Sequence, residues 1–357
     1  MSVYLGLFAL LVLTLPIYLS WPRVYLWLNV FVSFLVAGLR GVTVGADTLT
    51  YANVFSSISS INLPSTVVGW LLPLNDQRFE AGFIATFKAI SNFTSDFRIV
   101  IFVSSLLVAL SIIYFLNHFK TNYPIALATY LAIFYPFLLN GMRQAIAFSI
   151  CLIALVKVDE KKLPAFFFLV FIAATFHVSA WLVIITPLTR HVSLTRKNIA
   201  LFSVFGIGFL VGFEAIYGRA AMYSEELSSF GNSTTGLQGG GLNLIVQILI
   251  CLTLLMICKI TRLYEDSDEN KTWIWFILIT TAINLVAFKF NQLSRMAMYF
   301  TAAEMVIIPK VITKIPKFTI KLLTYLVVFL IITSYFVVIQ VYRPDWNGII
   351  PYALLGN

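Results

Sequence analysis

Charge is scarce in this chain: 11% of its 357 residues are Asp, Glu, Lys or Arg, whereas 60% are hydrophobic. Soluble domains carry about 25% charged and roughly 45–50% apolar residues, so a soluble globular enzyme is excluded. Acidic residues are the scarcer sign, 15 against 24 basic ones, which leaves a net charge of +9. The three cysteines, Cys151, Cys251 and Cys258, all fall inside apolar runs, where they build neither a disulfide framework nor a C-x-x-C metal site. They read as apolar filler. No H-E-x-x-H pair, Walker motif or G-x-S-x-G elbow occurs, which disfavours a zinc hydrolase, ATP-driven chemistry and a serine hydrolase. Residues 1–19 contain no Lys or Arg, so they lack the basic start of a cleaved signal peptide and read as a retained first span.

What the chain has is long apolar runs. Roughly 20 apolar residues cross a bilayer, and such runs recur from Ser2 to Gln340 with short polar interruptions. The fold class is therefore an all-α polytopic membrane protein, read as one membrane domain over 1–357. Lysines collect in short loops around Lys120, Lys157 to Lys162, Lys197, Lys259 to Lys271 and Lys310 to Lys321, which the positive-inside rule places in the cytoplasm. Threading from there gives about 12 transmembrane helices, near 3–19, 24–39, 97–116, 123–139, 141–156, 164–176, 177–189, 199–217, 241–258, 272–288, 290–308 and 322–340, with both termini outside. The pair 164–176 and 177–189 forms a short hairpin, since each arm has 13 residues, a rise of roughly 20 Å against a hydrocarbon core of about 30 Å. Segment 79–95 is apolar but fits only as a re-entrant or interfacial helix. Two outside loops remain, 40–78 and 218–240, and the second is Gly/Ser-rich, either a lid over an outward site or a plain linker. Gly208 and Gly212 read as small-residue helix packing rather than a nucleotide fingerprint.

Once the lysine loops are set aside, Arg40, Arg78, Arg143, Arg219, Arg295 and Arg343 lie on or near the outer face. A guanidinium pairs with phosphate through two parallel hydrogen bonds, so this sorting points to an outer-leaflet phosphate ligand. Arg143 stands in Asn140-Gly141-Met142-Arg143-Gln144, where Asn140 is placed to cap an inward-running helix and Gln144 adds donors at the same point. Interfacial snorkelling of the arginine is the plainer alternative. Arg295 is expected one turn deep in its span, with Met298 and Tyr299 beside it. In the first loop, Gly45 permits a turn and Asp47 is suited to cap the helix that follows, or to accept a proton from a sugar hydroxyl or hold Arg40. Glu80 follows Arg78 closely enough for an internal ion pair. His177, at the hairpin tip, is a candidate base or donor, or simply a structural hydrogen-bonding residue.

In order along the chain, these residues resemble the EpsG-like, Wzy-type oligosaccharide repeat-unit polymerases of bacterial surface polysaccharide synthesis. The matching pieces are Arg40 with Gly45-Ala46-Asp47-Thr48 and Tyr51, Glu80-Ala81-Gly82-Phe83, Asn140-Gly141-Met142-Arg143-Gln144 with Ala147, Phe176-His177-Val178-Ser179-Ala180, Arg295 with Tyr299-Phe300, and Pro351-Tyr352. The resemblance implies a multi-pass enzyme of the bacterial cytoplasmic membrane, similar to lipid-dependent C-type glycosyltransferases, with its active site facing the periplasm or exterior. It implies transfer of a growing glycan from undecaprenyl diphosphate to the non-reducing end of another lipid-linked repeat unit. Partners would be undecaprenyl-diphosphate-linked oligosaccharides, membrane lipid and a chain-length regulator, with no nucleic acid, no cofactor and no metal. Asp47, Glu80 and His177 are the candidate catalytic groups. Arg40, Arg143, Gln144, Arg295 and Tyr299 are the candidate diphosphate ligands. A transporter or flippase for lipid-linked sugar is the main alternative. It would carry polar groups near the midplane, whereas these concentrate at the outer end. A membrane-bound acyltransferase using His177 is a third reading.

Overall fold

The computed structural model describes residues 1–71, 73–74, 79–221, 241–265, 267–288 and 293–354. Arg78, Asn291, Gln292 and the loop residues 222–240 fall outside the described residues, as does the side chain of Arg219. The described chain is helical, apart from a two-stranded antiparallel ribbon, β1 (Pro73–Leu74) with β2 (Phe79–Glu80). By backbone proximity it divides into two compact units, Met1–Ile184 with Ile308–Asn357, and Ile185–Ile307.

In the first unit the expected first span is broken. Helix α1 (Ser2–Leu13) ends at Thr14 and α2 (Leu15–Ser20) starts afresh, because Pro16 lacks an N–H and its ring crowds the carbonyl four residues back. Thr14 Oγ1 donates to Leu10 O at 2.6 Å, and Asn29 Nδ2 on α3 (Pro22–Gly38) donates to Thr14 Oγ1 at 3.0 Å, so the break is stitched by polar groups. The first outer loop then leads into α4 (Thr48–Ser56). The apolar segment after the ribbon is a single short helix, α5 (Ala81–Ser91). Helix α6 (Arg98–Phe119) is a full-length apolar helix packed on α3. The span expected at 123–139 is one continuous path of α7 (Tyr123–Thr129), a π-turn over Tyr130–Phe134 and α8 (Tyr135–Asn140). Helix α9 (Met142–Asp159) returns against α6 and α10 (Leu163–Phe176). The second arm of the expected hairpin is not one helix: residues Val178–Ile185 wind as a 3₁₀ stretch, and α11 (Thr186–His191), which belongs to the second unit, follows from Pro187.

The two ends of α9 carry different chemistry. Arg143 stands at its start, while at its finish Lys157 and Lys162 grip Glu160 at 3.0 and 2.9 Å and His118 meets Asp159 at 2.9 Å. The two lysines pull the Glu160 carboxyl down to about 2. A helix of this length rises about 27 Å, so the lysine-rich end and the arginine end are separated by nearly a bilayer core. Both chain ends return to the arginine end. Tyr4 OH donates to Ile349 O at 2.9 Å, and Tyr352 OH donates to Val36 O at 3.0 Å.

The second unit holds α12 (Arg196–Ala221), α13 (Gly241–Ile260), α14 (Asp268–Ala287) and α15 (Ser294–Thr301), the last followed by α16 (Glu304–Thr313). Helix α14 packs on both α13 and α15, and Phe276 meets Phe300 edge to face at 5.0 Å. The expected span at 290–308 is bent by 45° between α15 and α16. Among the described residues, Gly206, Gly208 and Gly212 have no neighbour within 4 Å of where a Cβ would stand. Back in the first unit, α17 (Phe318–Tyr342) is a long apolar helix and α18 (Pro344–Asn347) a single turn.

Among the described residues, four helices are long and apolar enough to cross a membrane, or five with the bent pair counted as one. Others near the twelve expected positions are shorter (α1, α3, α10), broken (3–19, 177–189) or polar at their ends (α9). Length and composition therefore support an all-α membrane protein without fixing twelve crossings.

Candidate functional site

The first unit gathers several of the candidate site residues around the start of α9. Arg143 Nη1 donates to Glu80 Oε2 at 2.6 Å, and Glu80 Oε1 accepts from the Val178 backbone N–H at 3.2 Å. Arg143 also hydrogen-bonds Tyr51, and its guanidinium lies 4.6 Å from the Phe79 ring centre. Tyr51 in turn sits 5.9 Å from Phe79 and 5.4 Å from Phe83, edge-on to the latter. Four sequence segments that are far apart in the chain thus meet at one guanidinium. The side chain of Glu80 is 3% exposed and that of Arg143 is 23% exposed, so the cation, not the carboxylate, is the presented partner.

The expected local pair of Glu80 with Arg78 lies outside the described residues, and the partner found for Glu80 is Arg143, 63 residues away. Gly82 explains why the Glu80-Ala81-Gly82-Phe83 segment takes its form. A Cβ at Gly82 would collide with the Thr175 side chain and stand 2.8 Å from the Thr175 carbonyl oxygen, so only glycine lets α5 approach α10 this closely.

Two capping expectations are corrected. Asn140 does not cap α9: the N-cap position is Gly141 without a side-chain bond, and Asn140 Oδ1 accepts from the Asp47 backbone N–H at 2.8 Å. Asp47 occupies the N-cap position of α4, but its carboxylate makes no capping bond. Asn140 therefore ties the first outer loop to the α8–α9 turn. That loop needs Gly45, whose φ of +100° is a left-handed conformation and whose Cβ would stand 2.7 Å from Leu139 O. The half-buried Asp47 carboxylate makes no bond to the helix it precedes, and α9 starts without a side-chain cap.

Arg40 is placed differently. It is 2% exposed, donates to Ala37 O at 2.6 Å, Leu139 O at 3.0 Å and Ser105 Oγ at 3.3 Å, and its Nε has no partner. Its backbone bridges Leu354, and Gly41 N donates to Ala353 O at 2.8 Å. A small cleft lies beside it, lined among others by Ser33, Ser104, Ser105, Tyr130 and Tyr135. Arg40 closes the carbonyl ends of α3 and α8 and holds the loop against the C-terminal segment. Gln144 is buried in the first turns of α9.

At His177, where α10 ends, Nδ1 receives the Ser179 hydroxyl at 2.7 Å and the Ser179 backbone N–H at 3.3 Å. With Nδ1 acting as acceptor, the neutral ring carries its proton on Nε2 and offers a donor there. That tautomer follows from the hydrogen-bond geometry. It favours the donor reading of His177 over the base reading.

Arg295 and Tyr299 belong to the second unit. The described helix begins at Ser294, so Arg295 lies in its first turn, with its side chain exposed on the protein surface. Met298 and Tyr299, one turn further along the same helix, are buried. Sequence reading missed Glu304, which is fully buried in this unit.

Compared with known proteins, the EpsG family profile matches residues 23–354. No curated protein and no solved structure matches the chain.

Proposed function

Because the chain belongs to the EpsG family, matched from residue 23 to 354, we propose that it is a polysaccharide polymerase of the cytoplasmic membrane. In this reading it moves a growing glycan from undecaprenyl diphosphate to the non-reducing end of another lipid-linked repeat unit at the outer face. The observation that carries the proposal is Arg143: a presented guanidinium, oriented by a buried carboxylate, at the uncapped start of an 18-residue helix. As the glycosidic bond to the diphosphate breaks, negative charge grows on the leaving phosphate. A fixed guanidinium at a helix N-terminus, with the positive end of the helix dipole beside it, stabilises that charge more in the transition state than in the ground state.

Each neighbour then has a task. Glu80 spends one oxygen on Arg143 and the other on Val178 N, so it orients the cation rather than abstracting a proton. Asp47, whose carboxylate makes no capping bond, is the remaining carboxylate to accept the proton of the attacking hydroxyl. His177, donating through Nε2, serves a sugar or phosphate oxygen. Gln144 steadies the first turns of α9, and Arg40 holds the loop carrying Asp47 and sets the distance to α9. Arg295 and Tyr299, in the second unit, are proposed as separate diphosphate ligands. No step calls on a metal or cofactor.

The test is turnover by purified protein given defined lipid-linked repeat units. A polymer ladder with release of the free lipid diphosphate supports the proposal. Movement of the lipid-linked unit across the bilayer without polymer would support the transporter instead.

A further inference from the structure

Among the described residues, Glu304 is a carboxyl group enclosed in the second unit with no cation in contact. It is 0% exposed and opens α16, just after Ala302 and Ala303, where the α15–α16 pair bends by 45°. Its Oε1 receives the Cys251 thiol at 3.8 Å, and its Oε2 has no hydrogen-bond partner. The N–H groups that a helix start usually offers a carboxylate are already used: Met305 N bonds Ala302 O at 3.2 Å, and Val306 N and Ile307 N bond Ala303 O at 3.1 and 2.8 Å.

The other titratable groups on the surrounding elements do not reach it. Helix α13 contributes Cys251 and, about two turns further on, Cys258 and Lys259. Helix α14 carries Asp268, Glu269 and Lys271 in its first turn, where Lys271 holds Asp268 at 2.8 Å and Glu269 accepts from Trp273 at 3.0 Å. Helix α15 contributes Arg295 at its exposed start, and α16 itself carries Lys310 in its last turn. Glu304 therefore meets one weak thiol donor and apolar surroundings. An ionised carboxylate is far more costly in such a place than a neutral acid. The broken helix adds a second reason to look here, because discontinuous helices inside membrane bundles are where small cations and protons are held.

We propose that Glu304 is an intramembrane proton-binding site, carrying its proton as a neutral carboxylic acid at the joint between α15 and α16. The site is independent of the polymerase reading, and it takes a proton rather than a metal cation, since one unpartnered oxygen offers no coordination shell. The measurable consequence is reactivity with an apolar carbodiimide. The carboxyl proton passes to a carbodiimide nitrogen as the carboxyl oxygen adds to the central carbon. The resulting O-acylisourea rearranges by oxygen-to-nitrogen acyl shift to a stable N-acylurea, with no atom lost.

The full chain in proteoliposomes is treated with dicyclohexylcarbodiimide, and the adduct is located by peptide mass mapping. An adduct at Glu304 is expected, absent in Glu304→Gln. Its rate is expected to fall about tenfold per pH unit once the group titrates. Excess NaCl or KCl at fixed pH should not protect. Absence of the adduct from wild-type protein at every pH, labelling by a water-soluble carbodiimide at the same rate, or protection by Na⁺ or K⁺ would each overturn the proposal. Because the readout is made on the wild-type chain, it does not depend on the variant folding or on any polymerase assay.

Discussion

Arg143 and Arg40 look alike in sequence, each an arginine at the end of an apolar helix, yet the first unit treats them in opposite ways. Arg143 is 23% exposed and locked to a carboxylate, whereas Arg40 is 2% exposed and held by two backbone carbonyls and a serine hydroxyl. A cation oriented by a buried acid keeps donors to present outward. One wrapped in carbonyls has given most of its donors to the fold. The difference separates a residue that can meet a ligand from one that decides where the ligand's partners stand.

The largest effect should follow from Arg143. If it grips the carrier diphosphate with both prongs, Arg143→Lys keeps the charge but loses the fork, and should fail nearly as badly as Arg143→Ala. The expected loss is about 2.7–4 kcal/mol, or roughly 100- to 1000-fold in turnover. Arg143→Ala also strands Glu80, at about 3–5 kcal/mol of stability for a broken buried pair. Adding Glu80→Leu to that variant should recover thermal stability in detergent without recovering polymer. A lysine variant that makes wild-type ladders at matched membrane abundance would leave Arg143 as an interfacial anchor.

For Arg40 the comparison predicts the reverse split. Arg40→Met removes three charge-assisted hydrogen bonds to neutral acceptors, each worth about 1.5–3 kcal/mol at most. Melting temperature and membrane abundance should drop sharply, while activity per folded molecule falls less than for Arg143→Lys. Normal stability with lost activity would instead make Arg40 a direct ligand.

Much of this centre was legible in the sequence, because its chemistry is carried by residue types that are rare in apolar runs. Gly45 marked its turn, whereas Gly82 stood out only within the Glu80-Ala81-Gly82-Phe83 motif and its close approach to α10 came from the fold. The partners were not legible. Glu80 meets Arg143 across 63 residues, and Asn140 serves the Asp47 backbone instead of its own helix, since tertiary proximity rather than local spacing sets both. Local capping rules find the nearest donor in sequence, and here a neighbouring loop supplied a nearer one in space. Glu304 went unnoticed because it sits inside an apolar run with no companion charge. Breaks at Thr14 and at Ala302-Ala303 were equally hidden, as hydropathy windows average across a bend.

Gly82 gives a smaller test of the same scaffold. Gly82→Ala forces its methyl into Thr175, so α5 must move away from α10 and carry Glu80 with it. Overpacking of this kind costs about 1–3 kcal/mol. Thr175→Ala in the same chain should return only part of the loss, because the Thr175 carbonyl oxygen still stands 2.8 Å from the added carbon. Full rescue would show that the side chain alone sets the approach.

The smallest effect is expected at Ser179, and it tests how His177 works. Ser179 donates twice to Nδ1, through its hydroxyl at 2.7 Å and its backbone N–H at 3.3 Å. Ser179→Ala removes the shorter bond and keeps the other, so the ring should hold its Nε2–H tautomer with looser aim. One neutral hydrogen bond is worth about 0.5–1.5 kcal/mol net, which translates to a roughly 2- to 12-fold loss of turnover. His177→Gln, whose amide N–H can stand near the Nε2 position, should retain more activity than His177→Ala. A histidine acting as base through Nε2 would behave otherwise. Its Gln variant would be as inactive as its Ala variant, and because Nδ1 would then carry the proton and donate to the Ser179 hydroxyl, Ser179→Ala would move the acidic limb of the pH–rate profile to lower pH, since losing that acceptor makes the imidazolium harder to form. Turnover of the two His177 variants, with the pH profile of Ser179→Ala, therefore separates donor from base at a residue whose position both readings share.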